Sequence, residues 1–191
     1  MPRGDKSSSA AKPHIVAGMP MYNEEETIGS VVTRALRYVD EVICIDDGSS
    51  DASARIAEAC GATVIRHRVN RGYGGALKTL FLRASQLDAD ALVLLDSDGQ
   101  HETADIPKLL KPILDGEADF AIGSRFVDGG GGTDMPAYRR LGIKVITAAS
   151  NLSSDLGIKD TQSGFRAFSR TALERLRFDS EGMELSLEML E

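Results

Sequence analysis

Residues 89–101 read "ADALVLLDSDGQH". An apolar run from Ala91 to Leu95 stops abruptly at Asp96, and Ser97, Asp98, Gly99, Gln100 and His101 follow. The run is short, rich in Leu and Val and bounded by polar residues, which is the pattern of a central buried strand. Side chains alternate along a strand, so Asp96 and Asp98 are expected on the same side. Two carboxylates held close together repel, and each resists ionisation. A cation between them removes that conflict, and oxygen ligands of this kind suit a hard divalent ion such as magnesium or manganese. The same residues also suit a polar strand end in which Asp98 caps a turn, with Gly99 letting the backbone bend or approach a ligand. An EF-hand calcium loop is excluded. Counted from Asp96, His101 stands where that loop needs Gly and Pro107 where it needs Glu.

Working outward, strands and helices alternate. Residues 14–19 predict a first strand, 20–23 a loop, and Glu24 to Tyr38 a helix with acidic residues in its first turn. "EVICIDD" is a second strand, "SSDASARIAEACG" a capped helix closed by Gly61, and "ATVIRH" a third strand. A loop with Asn70, Gly72, Gly74 and Gly75 leads into a helix ending near Leu87. After the fourth strand, Thr103 to Asp115 predicts a helix bent at Pro112, and "ADFAIGSR" a fifth strand. This order implies an α/β fold with a largely parallel central sheet flanked by helices. Such sheets bind ligands beyond the carboxyl ends of their strands. The polar groups gather there: Pro20 to Glu24, Asp46 to Ser49, Asp96 to Asp98, and Gly123 to Arg125.

Further along, "DGGGGTDMP" (128–136) reads as a poorly restrained loop. Ala137 to Leu156 predicts a helix, since Leu141, Val145, Ala148, Ala149 and Leu152 recur at helical spacing. That face packs on the sheet or, alternatively, meets a membrane surface. "DTQSGFRAF" (160–168) reads as extended, and "GMELSLEMLE" as an unfinished helix of a longer natural chain. The polar residues 1–12 are expected to form a disordered tail, with one catalytic domain over 13–191.

Composition narrows the function. With 191 residues, 42% hydrophobic and 27% charged, the chain suits one soluble globular domain. A net charge of −7, from 22 basic and 29 acidic residues, argues against a dedicated nucleic-acid binder. Cys44 and Cys60 have neither metal-ligand spacing nor a disulfide framework, which suits a cytoplasmic protein. No stretch reaches the ~20 apolar residues of a membrane span. The glycine loop after the third strand is no dinucleotide fingerprint, because Leu77 stands where the last Gly belongs. Asp46 and Asp47 suit a turn and helix cap, and a carboxylate there also suits hydrogen bonds from a nucleobase or ribose. Arg125, Arg139, Arg140 and Arg166 flank the expected site, and guanidinium groups match phosphate oxygens.

Seven segments in order carry a family resemblance: "PMYNEEETI" (20–28), "DDGSSD" (46–51), "NRGYGGA" (70–76), "DSDGQH" (96–101), "GSRF" (123–126), "MPAYRRLG" (135–142) and "DTQSGFRAF" (160–168). Together they resemble family 2 inverting glycosyltransferases, especially the dolichyl-phosphate mannose and glucose synthase group. The resemblance implies a glycosyltransferase A-type (Rossmann-like) fold, a nucleotide-sugar donor, a divalent metal (Mg2+ or Mn2+) and a polyprenyl or dolichyl phosphate acceptor at the cytoplasmic face of a membrane. It assigns the metal to Asp98 with Asp96 and Gln100, and nucleobase and ribose contacts to Pro20, Tyr22, Glu24 and Asp47. Asn23, Gly75 and Arg166 fall in the same motifs as substrate-binding positions. Arg125 and Arg139 would hold the acceptor phosphate, and Asp160 would border the sugar as an orienting group or base. Glu102 and Thr103 depart from the family, which often has Pro after the Gln-His pair. A saccharide hydroxyl acceptor and a catalytically silent nucleotide-sugar-binding module are the alternatives. The motifs do not choose between GDP-mannose and UDP-glucose.

Overall fold

The computed structural model of the protein describes residues 12–124, 142–146 and 164–175. Seven strands form one sheet: β1 (Ile15–Met21), β2 (Glu41–Asp46), β3 (Thr63–Arg66), β4 (Ala91–Leu94), β5 (Phe120–Ser124), β6 (Gly142–Ile146) and β7 (Arg166–Ser169). Five helices accompany them: α1 (Ile28–Ala35), α2 (Ser53–Ala59), α3 (Gly72–Gln86), α4 (Ile106–Leu114) and α5 (Arg170–Arg175). The spatial order is β3-β2-β1-β4-β7-β5-β6. The first four of these neighbours pair in parallel. β7 then runs antiparallel between β4 and β5, and β6 closes the far edge antiparallel to β5.

β1 and β4 are apolar and buried along their whole length because both faces of the sheet are covered there. Alternation divides each strand between two cores. On one face Ala17, Met19, Val42, Cys44, Val93 and Leu95 pack with α1, α2 and α4. On the other, Val16, Ile43, Ile45, Leu92, Leu94 and Phe168 meet Leu77, Leu80 and Phe81 of α3. Each fully buried Leu or Ile contributes roughly 1.5–3 kcal/mol. Phe168 is held edge-to-face by Phe81, with ring centroids 5.1 Å apart.

Three expectations are revised. α1 begins at Ile28, so Glu24–Glu26 lie in the turn before it instead of in its first turn. That turn is committed to loop contacts, with the Glu24 amide donating to Ser53 Oγ at 2.6 Å and the Glu25 amide to Asp51 at 3.1 Å. Residues 142–146 form edge strand β6 instead of part of a helix. The β-branched Ile143, Val145 and Ile146 suit a pleated edge, and pairing with β5 outweighs the helical spacing. The segment after His101 splits into a 3₁₀ turn (Thr103–Asp105) and α4, which runs through Pro112. Glu102, which departs from the family pattern, caps this turn by accepting the Ala104 amide at 3.3 Å. The tail, the glycine-rich loop and the last segment lie outside the described residues.

Candidate active site

At the carboxyl ends of β1, β2 and β4 a cleft of ≈ 250 Å³ opens. Pro20, Met21, Tyr22 and Glu24 line it after β1, Asp47 after β2, Tyr73 and Ala76 from α3, and Asp96, Ser97 and Asp98 after β4. Six residues expected at the site, Pro20, Tyr22, Glu24, Asp47, Asp96 and Asp98, therefore meet in one place.

The carboxylates converge by a turn and not by strand alternation. β4 stops pairing with β1 at Leu94, opposite Gly18. The Leu95 amide makes the last bond, to Gly18 O at 3.0 Å. Residues 97 and 98 form a turn, with Gly99 at φ +75°. Asp98 Oδ1 accepts the Gln100 amide at 2.9 Å, the expected Asx-type cap. Asp96 Oδ2 faces His101 Nε2 at 2.9 Å, and the His101 ring stacks on Phe165 with centroids 5.4 Å apart. Gly164 presses against the same carboxylate: a Cβ added there would fall under 3.0 Å from Oδ1, Oδ2 and Cγ of Asp96. The Gly164 backbone is not in the left-handed region, so close approach alone requires the glycine. The Thr27 hydroxyl ties the turn to α1 by donating to Ser97 O at 2.8 Å.

The two acids at the end of β2 are bonded differently. Asp46 caps the turn, accepting the Ser49 amide at 2.9 Å. Asp47 is 4% exposed, and its Oδ1 takes two hydrogen bonds, from His67 Nδ1 at 2.6 Å and the Arg71 amide at 2.9 Å. His67 Nε2 lies 2.8 Å from Thr79 Oγ1. Tyr73 is half-buried and lines the same cleft as Asp47. Burial, reinforced by the charge of Asp96 and opposed by that of Arg166, pushes its phenol up to about 12, so it stays a protonated donor.

The remaining expectations fare differently. Asn23 does not line the cleft; at φ +56° its Oδ1 accepts the Ser50 amide at 2.9 Å and clamps two loops together. Gly75 lies in α3 behind the lining, and its carbonyl accepts from Thr79 at 3.1 Å. Gln100 is exposed and contributes its backbone to Asp98. Arg166 is 1% exposed and sits in β7 opposite Leu94, beneath the cleft instead of in it. Arg125, Arg139 and Asp160 lie outside the described residues. Sequence reasoning missed His67, Tyr73, Thr27 and Gly164 as site residues. A signal existed for all four: His67 ends a strand at the ligand-binding edge, and Thr27, Tyr73 and Gly164 stand inside quoted motifs.

Among the described residues no cluster of three or more His, Cys, Asp or Glu side chains surrounds one point. Asp96 and Asp98 nonetheless fit a hard ion that takes one or two carboxylates and completes its shell with water and substrate phosphate, as magnesium does.

A mostly parallel α/β sheet with acidic turns at its carboxyl edge is the architecture of glycosyltransferase A-type enzymes. The chain belongs to glycosyl transferase family 2, whose model matches residues 17–177. It is 32% identical over 176 residues to the UDP-N-acetylglucosamine–dolichyl-phosphate N-acetylglucosaminyltransferase of Methanococcus voltae, covering 83% of this chain and 70% of that one. It is 33% identical over 182 residues to the dolichol-phosphate mannosyltransferase of Pyrococcus furiosus, covering 90% and 51%. Glucosyl-3-phosphoglycerate synthase from Mycobacterium tuberculosis, crystallised with Mn2+, UDP-glucose and phosphoglyceric acid, superposes with a TM-score of 0.67 at 26% identity, covering 94% and 64%.

Proposed function

We propose that the cleft binds a nucleotide sugar, GDP-mannose or UDP-glucose, with a divalent metal, and that the enzyme transfers the hexose with inversion to a polyprenyl or dolichyl phosphate. The observation that carries this reading is the meeting of Asp47, Asp96, Asp98 and Tyr22 in one cleft, with acids enough for a base and a metal–diphosphate. The activities for which the dolichyl-phosphate relatives are named support the acceptor, and the Mn2+ and UDP-glucose of the mycobacterial neighbour support the donor and metal.

Tyr22, half exposed at the rim, is placed to cover the base, and Asp47 to accept a hydrogen bond from it. Asp98, with Asp96 beside it, holds the ion. When bound, that ion supplies the positive charge that stabilises the departing nucleoside diphosphate. His101 and Gly164 fix Asp96 in place. A lipid phosphate is largely dianionic at neutral pH, since its second pKa is near ~6. It attacks without losing a proton, so positioning by Arg125 and Arg139 matters more than a base at Asp160. The acceptor places the reaction at the cytoplasmic face of a membrane; among the described residues no helix is long and apolar enough to cross one.

The test is incubation with Mn2+ and labelled nucleotide sugars, with and without polyprenyl phosphate. Label moving into the lipid fraction supports the reading. Transfer to saccharide hydroxyls points to the alternative acceptor, and tight binding without turnover to a silent module. Arg125→Ala should lose about 2–4 kcal/mol of transition-state stabilisation, more than Asp160→Asn does. The reverse order would count against a phosphate acceptor, because an alcohol requires proton removal.

A further inference from the structure

Asp47 holds a buried oxygen with no partner among the described residues. Its Oδ1 has two lone pairs, and two donors fill them: His67 Nδ1–H at 2.6 Å and the Arg71 amide at 2.9 Å. Among the described residues Asp47 makes no further side-chain hydrogen bond, so Oδ2 has no partner there, on a side chain 6% exposed that lines the cleft. Buried polar atoms of native proteins are nearly always paired, so an acceptor without a donor in a cleft wall points to a donor supplied from the cleft.

The hydrogen-bond chain fixes which oxygen is free. A carboxylate only accepts, so the proton between His67 and Asp47 sits on Nδ1. At its other end Nε2 either donates to Thr79 Oγ1, which passes its own proton to Gly75 O at 3.1 Å, or accepts from that hydroxyl. Both arrangements keep Nδ1 a donor and Oδ1 saturated. Rotating Asp47 to offer both oxygens would break the His67 and Arg71 bonds together.

We propose that His67 and the Arg71 amide saturate Asp47 Oδ1 so that the cleft offers a nucleobase one carboxylate acceptor, and that this selects uracil over guanine. Uracil presents a single donor, N3–H, between two carbonyl acceptors, and matches one oxygen. Guanine presents N1–H and an N2 amino group side by side, and pairs well only with both oxygens of a carboxylate. Against Asp47 its second donor meets an oxygen already filled. His67 is thus a positioning residue, acting on the base through Asp47. The inference rests on the cleft being the nucleotide-sugar site proposed above, and it narrows the donor to a uridine diphosphate sugar.

Calorimetry on the full chain with Mn2+ tests it using UDP, GDP and 3-methyl-UDP, in which the N3 proton is gone. UDP should bind at least about tenfold more tightly than either, the scale of one hydrogen bond to a charged group. His67→Leu should collapse the UDP to GDP ratio toward one and leave the preference for UDP over 3-methyl-UDP standing, while His67→Asn, whose amide replaces the Nδ1 donor, should restore the first ratio. A merely architectural role for His67 would lower the affinity of all three nucleotides alike and leave the ratio intact. Equal binding of UDP and GDP, or of UDP and 3-methyl-UDP, overturns the base selection while leaving the donor site standing. An unchanged ratio in His67→Leu overturns the role of His67. If that variant does not fold, the three nucleotides on the wild type and the His67→Asn variant still decide both points. Failure of every nucleotide to bind removes the donor site itself and this inference with it.

Discussion

Replacing Gly164 by Ala should damage the site through Asp96 alone. The added Cβ would stand under 3.0 Å from both carboxylate oxygens and Cγ of Asp96, closer than real Cβ contacts allow. Because the Gly164 backbone is not in the left-handed region, no conformational strain is added. Two motions relieve the overlap. Asp96 swings away and loses the 2.9 Å bond to His101, at about 1.5–3 kcal/mol for a hydrogen bond to a charged group. Alternatively β7 moves, against its pairing on both sides, at about 1–3 kcal/mol for overpacking. Either route predicts a stability loss of about 2 kcal/mol, and a carboxylate displaced by ~1 Å predicts a turnover loss near 100-fold. Urea unfolding of wild type, Gly164→Ala, Asp96→Ala and the double variant, all in EDTA, isolates the cause. Once Asp96 is truncated the clash is gone, so Gly164→Ala should then cost less than ~0.5 kcal/mol, within the scatter of independent sites. Additive costs would refute the steric argument, because the glycine would be needed for something other than Asp96.

Other outcomes follow from the same geometry. Asp98→Ala should abolish turnover and remove the Mn2+-dependent part of nucleotide affinity in calorimetry; unchanged metal-dependent binding would unseat Asp98 as a ligand. Tyr73 keeps its proton to about 12 when folded against an ordinary value of 10.0, so the unfolded chain releases that proton first as pH rises. Stability from this group is complete below about pH 10 and declines toward pH 12, by roughly 2–3 kcal/mol in all. Denaturation in EDTA should show wild type losing more stability than Tyr73→Phe over that window, and parallel curves would contradict the assignment. Thr27→Val leaves Ser97 O without its 2.8 Å donor and should lower stability by about 1 kcal/mol in thermal unfolding, with Asp98 variants unaffected in fold. An unchanged melting temperature would mean that solvent replaces the hydroxyl.

β1, β2 and β4 were legible because they are buried on both faces, and in β2 and β4 apolar runs that end in acids mark both the strand and its cleft end. The same logic found Asp47, Asp96 and Asp98. It did not find β6, where local spacing favoured a helix and pairing with β5 decided otherwise. Asn23 and Arg166 stand in the same motifs without lining the cleft, Asn23 because its side chain clamps the loop and Arg166 because it is buried in β7. His67 and Gly164 were harder still. Their roles depend on contacts with Asp47, 20 residues away, and with Asp96, brought close only by the β4–β7 pairing, and periodicity carries no such information.

The placement of β7 between β4 and β5 has a consequence for biogenesis. During synthesis β5 leaves the ribosome well before β7, while the edge of β4 is still bare. Phe120, Ala121 and Ile122 then face an open apolar strand edge that the finished fold reserves for Ala167 and Phe168. Both neighbours of β7 precede it in sequence, so the sheet is completed by inserting a late strand between two earlier ones, a contact of long sequence separation. Gly164 and Phe165 immediately precede that strand and buttress Asp96 and His101, so the carboxylate end of the cleft is tied to the last strand to join the sheet.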